Sequence, residues 1–116
     1  MTPFGAHIRE LRAKRGVTLK QMADELEVSS AYLSALEHGK RGQPSIMLVR
    51  QICAYFEIFW DEAEALERLA EMSHPRIVVD TSGLSPKATL VANLLADRIR
   101  SLDESAIDRL LDVLNR

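Results

Sequence analysis

Four groups of side chains in this sequence could carry chemistry, and three of them fail on spacing or context. His7, His38 and His74 lie far apart, with no cysteine or carboxylate at ligand spacing, so no metal site is expected. Cys53 is the sole cysteine; it can form no internal disulfide, and its apolar helical neighbours suit a small hydrophobe better than a redox switch. Ser85 and Lys87 stand two apart as a serine–lysine pair, but the helical sequence around them cannot build a β-rich protease domain. Nothing points to an enzyme or to a cofactor. The fourth group is the basic run Lys40-Arg41-Gly42-Gln43-Pro44, whose cations suit a polyanion. Charge is divided accordingly. Residues 1–60 hold eight Lys/Arg against six Asp/Glu, a balance of +2; residues 61–116 hold seven against eleven, a balance of −4. Only the first half is expected to meet a polyanion.

Helices must hold that loop in place. Five glycines and four prolines in 116 residues are too few for a turn-dense β fold. A first helix is expected from Pro3 to about Lys14, with Phe4, Ile8 and Leu11 inward and Gly16 as its left-handed stop. Thr18-Leu19-Lys20-Gln21 is a capping box, opening a helix with Leu19, Met22, Ala23 and Leu26 on one face. After only Glu27-Val28, Ser29 caps a third helix, Ser30 to about Glu37, with Leu33 and Leu36 inward. Ser45 caps a fourth, with Ile46, Val49, Ile52, Cys53 and Phe56 inward and Leu48 and Tyr55 forming an apolar stripe opposite. A fifth, from about Asp61 to Met72, follows the apolar corner Ile58-Phe59-Trp60; its Glu62, Glu64, Glu67 and Glu71 make a solvated acidic face.

Residues 73–85, with Pro75 and Gly83, break the helical period and are expected to be a linker. A helix from Pro86 to about Ser101 and another capped by Asp103 then meet at Leu102-Asp103, a joint tight enough to fold them into a hairpin. The expected layout is all-α: domain 1–72, linker 73–85 and helical hairpin 86–116. The chain has no apolar run of the roughly 18 residues that a membrane span needs, and its N-terminus has no signal-peptide core. A cytoplasmic protein, with no membrane partner, is expected.

Residues 16–37 carry the most information. A capped helix, a minimal turn and a second capped helix, with apolar positions set for the two to cross, make a helix-turn-helix, whose second helix enters the DNA major groove. The stretch from Ile8 to Phe56, and AYLSALEHGKRGQPS within it above all, resembles the Cro/repressor family of bacterial and phage regulators, also called the xenobiotic-response-element family. The resemblance implies a five-helix, lambda-repressor-like DNA-binding domain. It departs from the family at two places: Glu27 stands where glycine is usual in the turn, and Leu19 where a glutamine often meets the DNA backbone.

Carried over by position, the resemblance puts Ser29, Ser30, Ala31, Tyr32, Ser34 and Ala35 at the DNA, with His38, Lys40, Arg41 and Gln43 beside the backbone or minor groove. Small serines and alanines cannot make the bidentate base contacts of arginine or glutamine, so part of the specificity would come from DNA shape. Arg12 and Glu37 fall where the family has an ion pair that orients the recognition helix. Two isolated helices cannot bury Leu90, Leu94, Leu95, Ile107, Leu110, Leu111 and Leu114 by themselves, so the hairpin is expected to dimerise, with a regulatory protein as a further possible partner. The expected function is a sequence-specific transcriptional regulator, more a repressor than an activator, reading an inverted repeat in double-stranded DNA as a homodimer. Two alternatives stay open: an antitoxin that binds its own promoter, and an interaction module without DNA binding.

Overall fold

Among the described residues, six of the seven α-helices begin where a short polar side chain accepts one of the amides that a helix start leaves unpaired. A computed structural model describes residues 1–40 and 42–116 and contains α1 (Pro3–Arg15), α2 (Leu19–Leu26), α3 (Ser30–Glu37), α4 (Ile46–Phe56), α5 (Trp60–Glu71), α6 (Pro86–Arg98) and α7 (Glu104–Leu114), with a 3-10 turn at Ile99–Ser101. The caps are Thr2, Thr18, Ser29, Ser45, Ser85 and Asp103. Thr18 and Gln21 complete their box: Gln21 N–H donates to Thr18 Oγ1 at 3.0 Å, and Thr18 N–H to Gln21 Oε1 at 2.8 Å. The exception is α5, which starts after Phe59 with no side-chain cap.

The chain forms two units, residues 1–77 and 78–116. In the first, α1 packs on α3 and α5, α2 on α3 and α4, and α4 on α5. Phe4 and Ile8 of α1, Met22, Ala23 and Leu26 of α2, Leu33 and Leu36 of α3, Val49, Ile52 and Phe56 of α4, and Leu66 and Ala70 of α5 are buried together. Full burial of one such large side chain contributes about 1.5–3 kcal/mol. Ser73 is also buried here: its Oγ accepts from Phe4 N–H at 2.9 Å and donates to the Leu69 carbonyl, tying the end of α5 to the start of α1.

The inner face of α4 differs from the expected one. Ile46 is 59% exposed, whereas Leu48 is buried and Tyr55 half-buried against the core. Leu48 lies within one helical arc of Val49, Ile52 and Phe56, while Ile46 sits at the rim of that arc in the first turn. The apolar stripe proposed for Leu48 and Tyr55 therefore closes within the unit.

The second unit has a different balance. None of the described residues of α6 or α7 is buried, and Leu90, Leu94, Leu110, Leu111 and Leu114 are exposed while Leu95 and Ile107 are half-buried. Each helix is well capped, by Ser85 for Ala88 N–H and by Asp103 for Ala106 N–H. These helices are locally complete, yet most of their large apolar side chains remain exposed. No helix among the described residues is long and apolar enough to cross a membrane.

Candidate nucleic-acid interface

The geometry of the interface is set in the three residues that join α2 to α3. Glu27 closes α2 in the left-handed conformation, φ 58° and ψ 39°, and its N–H returns to carbonyls of the last turn. Only glycine adopts this conformation without cost, so Glu27 bears on the order of 1 kcal/mol or more of local strain. Val28 then packs on the core, and Ser29 Oγ accepts from Tyr32 N–H at 3.0 Å to start α3. The turn is short because nothing but this strained residue and Val28 separates one helix from the cap of the next.

The inner side of α3 is anchored by Leu33 and Leu36. Its outer side presents Ser29, Ser30 and Ala31 exposed, and Tyr32, Ser34 and Ala35 half-buried, with Tyr32 also packed against the core. No side chain at 29, 30, 31, 34 or 35 is larger than serine, so the backbone of α3 can approach another surface closely. At its C-terminal end the chain turns back: Lys40 N–H donates to the Ala35 carbonyl at 2.8 Å, with Gly39 left-handed at φ 77°. His38 is exposed and its Nδ1 lies 2.8 Å from the Ser34 carbonyl; the carbonyl can only accept, so Nδ1 carries the proton and Nε2 is the outer nitrogen. Lys40 and Gln43 are exposed. Arg41 lies outside the described residues.

Two contacts hold α3 against α1. Arg12 Nη2 donates to both carboxylate oxygens of Glu37, at 2.9 and 3.0 Å, and only 14% and 3% of the two side chains are exposed. Arg12 Nε is buried with no partner among the described residues, so the pair is tightly enclosed but not fully hydrogen-bonded. The second contact was not anticipated from the sequence. Thr2 N–H donates to the Glu37 carbonyl at 3.0 Å, and a Cβ on Gly5 would fall inside van der Waals contact with that same carbonyl. A glycine in the first turn of a helix, where better helix formers are available, is the signal that could have found it. Arg15 was likewise missed: its Nη2 donates to the Phe56 carbonyl at 2.8 Å and its guanidinium lies 5.6 Å from the Phe56 ring, capping α4 from α1.

Beside α3, a cleft of about 400 Å³ is lined by Val28, Ser29, Tyr32, Ser45, Met47, Leu48 and Gln51. The starts of α3 and α4 both border it, and helix starts carry partial positive charge that favours anions. The interface therefore combines an exposed, small-residue helix with helix starts and the Lys40 loop around it. Cys53 takes no part: burial, and then the Glu67 carboxylate, push its thiol up, which keeps it protonated and unreactive.

Comparison with known proteins fits this geometry. A family model described as a helix-turn-helix domain matches residues 3–67. The uncharacterised HTH-type transcriptional regulator RghRB of Bacillus subtilis (strain 168) is 37% identical over 65 residues, which is 56% of this chain and 47% of that protein. The HTH-type transcriptional repressor RghR of the same organism is 36% identical over 58 residues, 50% of this chain and 43% of that protein. The HTH-type transcriptional regulator DdrOP3 of Deinococcus deserti is 32% identical over 96 residues, 82% of this chain and 74% of that protein. The chain thus spans less than half the length of the first two relatives and about three quarters of the third. No solved structure matches the chain significantly.

Proposed function

This chain belongs to the helix-turn-helix domain family, and on that premise we propose that it is a sequence-specific transcriptional repressor that binds an inverted repeat as a homodimer. The observation that carries the reading is α3 itself. It is an eight-residue helix fixed from behind by Leu33, Leu36 and Glu37, with only small side chains on its outer side apart from Tyr32. Such a helix fits deep in a major groove, where Ser30 and Ser34 reach base edges and Ala31 and Ala35 meet thymine methyls. Ser29 at the start of α3, with His38, Lys40 and Gln43 and, by its place in the sequence, Arg41, would hold the phosphates or the adjacent minor groove. Two copies place their α3 helices in successive major grooves about 34 Å apart. One relative, RghR, is a transcriptional repressor, which supports repression over activation.

The test is an affinity series on DNA from upstream of the protein's own gene and on scrambled DNA at several salt concentrations. Preference for the first is expected, and Lys40→Ala should flatten the salt dependence by about one unit of slope if it meets a phosphate. Ala31→Glu should abolish the preference and leave the melting temperature unchanged. Equal affinity for both DNAs, or no binding at low salt, would overturn the reading.

A further inference from the structure

We propose that Ser73 is a positioning residue for DNA binding: the chain leaving α5, Ser73 to Arg76, is a strap that holds the end of α3 and sets the direction in which Lys40 leaves it. Ser73 is 2% exposed, and its hydroxyl both accepts and donates. Its Oγ accepts from Phe4 N–H at 2.9 Å, across 69 residues of chain, and donates to the Leu69 carbonyl. Phe4 N–H is one of the amides that the start of a helix leaves unpaired. The N-cap Thr2 serves only Gly5 N–H, at 3.0 Å, and Ser73 serves Phe4. The first turn of α1 is therefore held by the exit from α5 as well as by its own cap.

Pro75 continues the strap. His74 Nδ1 accepts from Arg76 N–H at 3.2 Å, which closes a turn about Pro75. Here the strap meets the chain that leaves α3. A Cβ placed on Gly39 would lie 3.1 Å from Thr2 Cγ2 and 3.5 Å from Pro75 Cβ, so both side chains stand against the same side of Gly39. Thr2 also donates its N–H to the Glu37 carbonyl at 3.0 Å. Gly39 is left-handed at φ 77°, and Lys40 after it is exposed, with its N–H on the Ala35 carbonyl at 2.8 Å. Residues 2–4, 37–40 and 73–75, from three separate elements, meet at one point. The Arg12–Glu37 pair fixes α3 through a side chain, and the strap fixes the backbone that follows it. A long lysine gives its full contact only where its backbone is already in place, because ordering it on binding costs affinity.

The inference rests on the reading above that Lys40 meets a phosphate, and its test separates the two. Hydrogen exchange of backbone amides in the free, full chain reads the strap without DNA. In Ser73→Ala the Lys40 amide should exchange about tenfold faster when measured against Val49 and Ile52 of the buried α4 face. A loss of overall stability alone would speed the α4 amides as much. Pro75→Gly changes an exposed residue outside every helix and should act alike at unchanged melting temperature; it decides alone if Ser73→Ala does not fold. With DNA, each variant should flatten the salt dependence by about one unit of slope, as Lys40→Ala does. Adding Lys40→Ala to either should then flatten it no further. Unchanged Lys40 exchange, or slopes that fall additively with Lys40→Ala, overturns the strap and leaves DNA binding standing. A wild type that binds no DNA at low salt overturns both.

Discussion

Arg12, Glu37 and Gly5 hold α3 against α1. One nitrogen of Arg12, Nη2, donates to both carboxylate oxygens of Glu37, and the pair is nearly closed to water. Removing one partner strands the other charge, so Arg12→Ala should lower stability by about 3–5 kcal/mol in urea unfolding. DNA affinity should fall with it, since α3 would lose its tether to α1. An unchanged unfolding midpoint would mean the pair contributes nothing. Gly5 acts by having no side chain: the Glu37 carbonyl occupies the space a Cβ would need. Gly5→Ala should therefore cost about 1–3 kcal/mol, as overpacking does, although alanine is the better helix former. A gain in melting temperature would show that α1 can move aside. The ion pair was legible through the resemblance of the sequence to a family that has one. The close approach of Gly5 was not, because a glycine discloses its purpose only when the backbone that meets it is known.

The helices begin where their capping residues predicted, and the departures come where packing overrides local preference. The third helix runs from Ser30 to Glu37, as its cap and apolar spacing implied. Glu27 and Glu57 both end helices in the left-handed region at φ 58° and 56° without being glycine. At the first of these the strain is relieved by Glu27→Gly. That substitution should raise stability by about 1 kcal/mol, the left-handed penalty outweighing the extra entropy of glycine in the unfolded chain. A thermal melt that falls instead would show that Glu27 makes a compensating contact. The face of α4 was misplaced by part of a turn. Four apolar residues in a row at 46–49 leave the periodicity ambiguous, and the positions of α2 and α5 decided that Leu48 goes in and Ile46 stays out. The start of α5 was set one residue late, since nothing in the sequence announces an uncapped helix opening on a left-handed tryptophan.

The chain forms two units, residues 1–77 and 78–116, and only the first has buried its apolar residues. Leu90, Leu94, Leu95, Ile107, Leu110, Leu111 and Leu114 are none of them buried. We propose that a second copy covers them, so Leu94→Asp should place an unpaired charge in that interface at a cost of several kcal/mol. The variant should sediment as a monomer at concentrations where the wild type is a dimer, while the first unit keeps its melting transition. A wild type that is monomeric at tens of micromolar would overturn the dimer itself and leave α6 and α7 without that role.

The sequence by itself determined what depends on neighbours along the chain: the caps, the stops, the all-helical class and the spacing of α2, turn and α3. Those follow from amides and side chains three or four residues apart. It could not determine which face of α4 turns inward, why residue 5 must be glycine, or that Arg15 of α1 reaches the Phe56 carbonyl at the end of α4. Each of these joins residues distant in sequence, and their meeting depends on how whole helices cross. Only the tertiary structure decided them, because close packing fixes every such contact at once while local preference fixes each helix alone.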